Sequence, residues 1–218
     1  MRQVMRLLFL LLSMAVATSA NASEKLLGLV EVPALHSLLN RGGPDEPVGP
    51  VPLFTKPDHS ADVAAVVRDR RHLDSGEHGY EQVSAAVYGL GANAGGGFWY
   101  KLKYLHGEET LFAWLNQADA GQYRPLTELL RGGLTHFTEN WDGRLYEAPD
   151  LASPSRSLAG SDVRVASFHG VPGDLWVLVV LVKGNICTGG GTEIIATGWV
   201  PANAKSGAAT IWYSSRGC

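Results

Sequence analysis

The chain has 218 residues, with 18 lysines and arginines against 21 aspartates and glutamates, a formal net charge of −3. A mildly acidic chain lacks the basic footprint of nonspecific nucleic-acid binding, so that class of partner is set aside. Two cysteines cannot complete a four-ligand zinc site alone, while 45% hydrophobic residues suffice for one large core or two small ones.

The first 22 residues have the pattern of an export signal. Arg2 and Arg6 give a basic start, Leu7 to Ala17 an apolar run, and Ala20-Asn21-Ala22 a small-residue cleavage site. The run is shorter than the roughly 20 residues of a retained spanning helix. Cleavage after Ala22 is expected to leave a secreted, periplasmic chain starting at Ser23, with no membrane insertion afterwards. Its 16 basic and 21 acidic residues give a net charge of −5.

Residues 23–47 read as an arm and linker. Leu26 to Val32 is apolar and β-compatible, broken at Pro33, and too hydrophobic to be left in water. It is expected to pack on a domain. Residues 40–50 carry three prolines and three glycines and read as a connection. Beyond it, strand patterns dominate. Val83, Ala85 and Val87 share one face of a strand. Over Phe98–Leu105, alternation places Phe98, Tyr100, Leu102 and Tyr104 opposite Trp99, Lys101 and Lys103. Because that second face is otherwise charged, Trp99 is expected at a surface. Phe112 and Trp114 oppose Leu111, Ala113 and Leu115, and Leu126 to Arg131 suits one helical turn closed by Gly132-Gly133. In the second half, Val163 to Val165 alternates, Trp176 to Val182 reads as a strand buried on both faces, and Glu193–Val200 and Thr210–Tyr213 complete the set. Short strands punctuated by Gly and Pro argue for an all-β chain of small barrels or sandwiches.

The same arrangement of residues occurs twice. Leu53-Phe54-x-x-Pro57 returns as Leu145-Tyr146-x-x-Pro149 at an offset of 92, Trp99 returns as Trp176 at 77, and Ala113-Trp114-Leu115 returns as Gly198-Trp199-Val200 at 85. Order is kept while spacing drifts, as in two copies of one unit with different loops. The first copy carries a surplus of 15 residues before its tryptophan strand, the difference between offsets 92 and 77. The second carries 8 more between its two tryptophans, the difference between 85 and 77.

These motifs resemble bacterial SH3-like domains. The resemblance rests on Val51-Pro52-Leu53-Phe54-x-x-Pro57, Gly97 to Leu102 and Ala113-Trp114-Leu115, and on the ending Gly198-Trp199-Val200-Pro201-Ala202. It covers roughly residues 48–130 and 142–218, with residues 131–141 as a linker. It implies two small SH3-like β-barrels in tandem, each without catalytic residues or a cofactor. Such domains bind a peptide, cell-wall material or a partner protein through an aromatic-lined groove. On this reading Trp99 is the main ligand-binding candidate, with Tyr88, Lys101 and Tyr80 beside it, and core packing as the competing role for the tryptophans. For Trp114 and Trp199 the two roles stand equal.

The remaining chemistry is sparse. Cys187 and Cys218 are expected to form a disulfide in an oxidising compartment, with two free thiols as the alternative. His72, Asp74, Glu77, His78 and Glu81 form the densest set of potential metal ligands, but their spacing matches no zinc-protease motif and a solvated loop explains them. A cell-envelope enzyme with its site in this insertion is the alternative to a non-enzymatic binding or assembly module. The glycines from 89 to 97 precede a strand and lack the Lys-Ser or Lys-Thr of a phosphate loop.

Overall fold

The computed structural model describes residues 24–35, 49–74, 83–93, 95–131, 133–159, 162–184, 186–188 and 193–214. The expected signal sequence, Tyr80, residues 75–82 of the insertion and Cys218 lie outside the described residues.

Period-two alternation builds the molecule. In the first half it produces β1 (Gly28–Glu31), β2 (Val51–Phe54), β3 (Val63–Val67), β4 (Ser84–Ala92), β5 (Phe98–His106), β6 (Glu109–Asn116) and β7 (Tyr123–Pro125). A single helical turn, α1 (Leu126–Leu129), follows. The second half contains β8 (Thr135–Phe137), β9 (Arg144–Tyr146), β10 (Ser155–Ser157), β11 (Asp162–Val171), β12 (Asp174–Val182), β13 (Ile194–Pro201) and β14 (Ile211–Tyr213). The strands form two curled antiparallel sheets, so the fold is all-β. The first has the order β3-β2-β6-β5-β4-β1-β7 and the second β10-β9-β13-β12-β11-β8-β14. Adding seven to each strand of the first order gives the second. The duplication seen in the motifs therefore extends to every strand.

Two segments expected as connections belong to this pattern. The apolar arm supplies β1, which pairs with β4 and β7. Residues 131–141 contain β8, which pairs with β11 and β14. Each is the first strand of its sheet. Their sequences are too short to show alternation, and only pairing on both sides makes them strands.

Val30, Leu53, Ala85, Val87, Tyr100, Leu102, Tyr104, Ala113 and Leu115 form the first core. The second is built from Leu145, Val163, Val177, Val179, Leu181, Ala196, Val200 and Ile211, and it continues without a break onto Leu26, Leu29, Ala86 and the α1 leucines of the first half. Alternation explains the division: Val30 of β1 faces the first core and its neighbour Leu29 faces the second. The arm is fastened at the same place. Asn203, a buried residue, accepts from the Leu26 N–H at 3.0 Å and donates to the Leu26 carbonyl at 3.1 Å. The arm thus closes the first sheet and joins it to the second. No helix among the described residues is long and apolar enough to cross a membrane.

Candidate ligand-binding face

The expected surface tryptophan is buried. Trp99 has 0% exposure, which corrects the expectation drawn from its charged neighbours Lys101 and Lys103. As alternation predicts, it lies on the side of β5 opposite Tyr100 and Leu102, and it belongs to neither core cluster. A cover removes it from water. Phe54, at the end of β2, meets the indole edge-on at 5.5 Å and 88°, and His59 of the following loop meets it at 4.9 Å. His59 Nε2 is in turn 3.0 Å from Asn116 Nδ2, the residue opposite Trp99 on β6. The indole Nε1 is buried without a hydrogen-bond partner among the described residues. Burying such a donor is costly, so packing of the ring must outweigh it.

The second half repeats this arrangement. Tyr146 meets Trp176 edge-on at 5.5 Å and 87°, and Trp176 is 7% exposed. The repeated motif residues are therefore a structural pair that fastens the β2 or β9 end over the middle strand. They leave no open groove at Trp99 and withdraw it as an exposed anchor.

Tyr88 and Lys101 do come together, one row further along the same outer face. A bulge between Val87 and Gly89 interrupts the β4–β5 register, and Tyr88 is the extra residue. Bulges re-aim side chains. Here the phenol reaches Asp74, donating to Oδ2 at 2.5 Å, and its ring meets Phe112 edge-on at 5.5 Å. Lys103, opposite Phe112 on β5, pairs with the same Asp74 oxygen at 2.9 Å and lies 5.6 Å from the Tyr88 ring centre. Burial, reinforced by the Asp74 carboxylate, pushes the Tyr88 phenol well above its ordinary value, so it remains a neutral donor.

Lys101 stands between two aromatic rings, 5.4 Å from the centre of Phe112 and 5.8 Å from that of Trp114. Its ammonium also pairs with Glu24 of the arm. Trp114 is half-buried because its indole lies across Gly89 and Gly91; a Cβ on Gly91 would sit 2.9 Å from Trp114 Cζ3 and 3.1 Å from Pro57 Cβ. These glycines, superficially like a phosphate loop, instead make room for an aromatic ring. Phe112 remains 38% exposed. The outcome is a surface of three aromatic rings and two ammonium groups, with Asp74 and Glu24 holding the cations in place. It offers flat apolar contact and charged hydrogen-bond donors side by side. Sequence reasoning had Lys101 and Tyr88 but missed Phe112, whose alternation with Trp114 was the available signal.

The insertion yields no reactive cluster among the described residues. His72 lines a cavity beside β3, whereas Asp74 is engaged by Tyr88 and Lys103. No group of three His, Cys, Asp or Glu side chains is placed to hold a metal among the described residues. Cys187 lies in the 3-10 turn Ile186–Thr188, tied to β11 by the Ile186 N–H donating to Asp162 Oδ2 at 2.9 Å. Compared with protein-family models, curated proteins and solved structures, the chain matches none of them.

Proposed function

We propose that this is an exported, non-enzymatic binding or assembly module of two SH3-like barrels, which takes a peptide, cell-wall component or partner protein on the outer face of its first sheet. Support for the SH3-like reading comes from the repeated strand order and from the Phe54–Trp99 and Tyr146–Trp176 pairs at matching motif positions. One observation carries the functional part: Lys101 is set between Phe112 and Trp114, with Phe112 exposed and Tyr88 aimed alongside by a bulge. Aromatic rings fixed by packing make good anchors because little conformational freedom is lost on binding. Each ammonium group has three donors, so beyond its carboxylate partner it can still donate to the carbonyl or carboxylate oxygens of peptides or peptidoglycan stems.

Co-sedimentation with purified peptidoglycan sacculi, run beside capture from native cell envelopes, tests the reading. The wild-type chain is expected to be retained by one of the two. Phe112→Ala should weaken that retention by about 2 kcal/mol, the scale of a central anchor, while leaving the melting temperature almost unchanged. Retention that survives both Phe112→Ala and Lys101→Gln would move the binding site off this face.

A further inference from the structure

β3 is an outer strand of its sheet, and among the described residues it pairs only with β2. An edge strand leaves a row of backbone N–H and C=O groups unpaired on its free side, a template for another strand. Natural edges are usually shortened, charged or covered to prevent this. The corresponding edge of the second sheet follows that rule. β10 is only three residues, Ser155-Arg156-Ser157, and Arg156 Nη2 donates to the Thr197 carbonyl at 3.1 Å. β3 does not: Val63-Ala64-Ala65-Val66-Val67 is five residues long, uncharged and free of proline, with Val63 52% and Val66 49% exposed.

We infer that β3 is the interface to a second copy of this chain, the two β3 strands pairing antiparallel about Ala65. The charges flanking the strand select this occupant. Asp62 and Arg68 each stand three residues from Ala65, one on either side. In the register centred on Ala65, Asp62 of each copy is opposite Arg68 of the other, Val63 is opposite Val67, and Ala64 is opposite Val66. Both charged side chains are exposed, and among the described residues neither takes part in an ion pair. A parallel in-register pairing would instead set like charge against like, and a shifted register would separate the partners. A cavity of about 460 Å³ beside the edge, where Ala64, Val66, Tyr104 and Leu105 stand with His72 and His106, leaves room for the side chains of an incoming strand.

Five paired residues cover far less than the roughly 1,600 Å² of a stable complex, so the dimer forms at high concentration. Sedimentation velocity from about 10 μM to about 1 mM reads it in the affinity range expected for such an edge. The wild-type chain should show a reversible monomer–dimer equilibrium. Asp62→Arg, or Arg68→Asp, places like charges at both ends of the paired strands and should weaken association by about tenfold. Combining the two substitutions reverses the polarity and should restore it. Melting curves should be the same for all four proteins, because neither side chain supports the fold. A monomer throughout the range overturns the inference, and so does a dimer indifferent to the single charge reversals.

Discussion

The two halves of the chain share a frame and differ on their outer faces. Equivalent positions on the middle strands are Lys101 and Lys103 in β5 and Leu178 and Val180 in β12, as fixed by the matching pairs Lys101↔Trp114 and Leu178↔Trp199. Phe112 corresponds to Thr197. The bulge itself recurs, between Val87 and Gly89 in β4 and between Val165 and Ser167 in β11, but its extra residue is Tyr88 in one and Ala166 in the other. Duplication has kept the backbone device and the buried Trp pair while changing what the device displays. Among the described residues, only the first half combines an aimed phenol, an exposed phenylalanine and paired ammonium groups. The comparison separates residues that hold the frame, present twice, from residues that give one surface its chemistry, present once.

The sharpest way to break this division is to remove the paired tryptophans. If Trp99 and Trp176 are both frame residues, Trp99→Ala and Trp176→Ala should each lose about 3–5 kcal/mol of folding stability, measured by urea unfolding. Loss at one and not the other would show that the equivalence is only positional. Trp99→Phe should cost less than Trp99→Ala, since it retains a ring and deletes the unsatisfied Nε1–H.

The position of Trp99 also shows where the sequence stopped being legible. Its side of β5 followed from alternation, as did the inward faces of β4, β6 and β12. Its burial did not, because the cover comes from 40 and more residues earlier: Phe54 at the end of β2 and His59 in the polar stretch Thr55 to Ser60. The repeated Trp176, set in a strand of aliphatic residues, was the available hint. β3 was missed for another reason: Val63-Ala64-Ala65-Val66-Val67 has no period of two. The packing of the arm follows from its hydrophobicity, but its role as a strand between β4 and β7 depends on partners 53 to 97 residues away, from Glu31↔Ser84 to Gly28↔Pro125. Local pattern cannot specify such pairings.

A second asymmetry lies in the cysteines. Both cysteines belong to the second half, and a Cys187–Cys218 bridge would close a loop worth about 3.5–4 kcal/mol by the chain-entropy argument. Denatured, unreduced protein should then contain no titratable thiol, and reduction should lower stability by up to that amount. Two reactive thiols per chain would refute the bridge and leave the second half without this advantage.

Close packing at the last strands should give a smaller difference. Gly198 and Ala113 occupy equivalent positions, but a Cβ on Gly198 would lie 2.9 Å from Leu145 Cβ and 3.1 Å from the Tyr146 carbonyl oxygen. β9 approaches β13 too closely for a methyl group, whereas the first sheet buries the Ala113 methyl with 0% exposure. Gly198→Ala should therefore destabilise by about 1–3 kcal/mol through overpacking. Ala113→Gly should cost about 1 kcal/mol, from backbone entropy and the lost methyl. Equal and negligible effects would mean that the two sheets adapt alike.

The smallest expected effect near neutral pH, and the most selective for the first half, concerns Tyr88. Its phenol is held neutral well above the ordinary tyrosine value of 10.0, by burial first and Asp74 second. Tyr123, also in the first half, is pushed up to about 12 by burial. In the unfolded chain both titrate near 10, so above that pH the folded state binds more protons than the unfolded state. Their contribution is complete below pH 10 and is lost as the pH rises through the folded values. Tyr88→Phe removes one hydrogen bond and should cost about 1 kcal/mol at pH 7. Because it also removes the buried acid, it should narrow the stability gap to wild type as the pH climbs past 10. Urea midpoints measured along that range read the effect. A gap independent of pH would mean that Tyr88 ionises as an ordinary surface phenol, and the bulge would then be aiming it into water and not at Asp74.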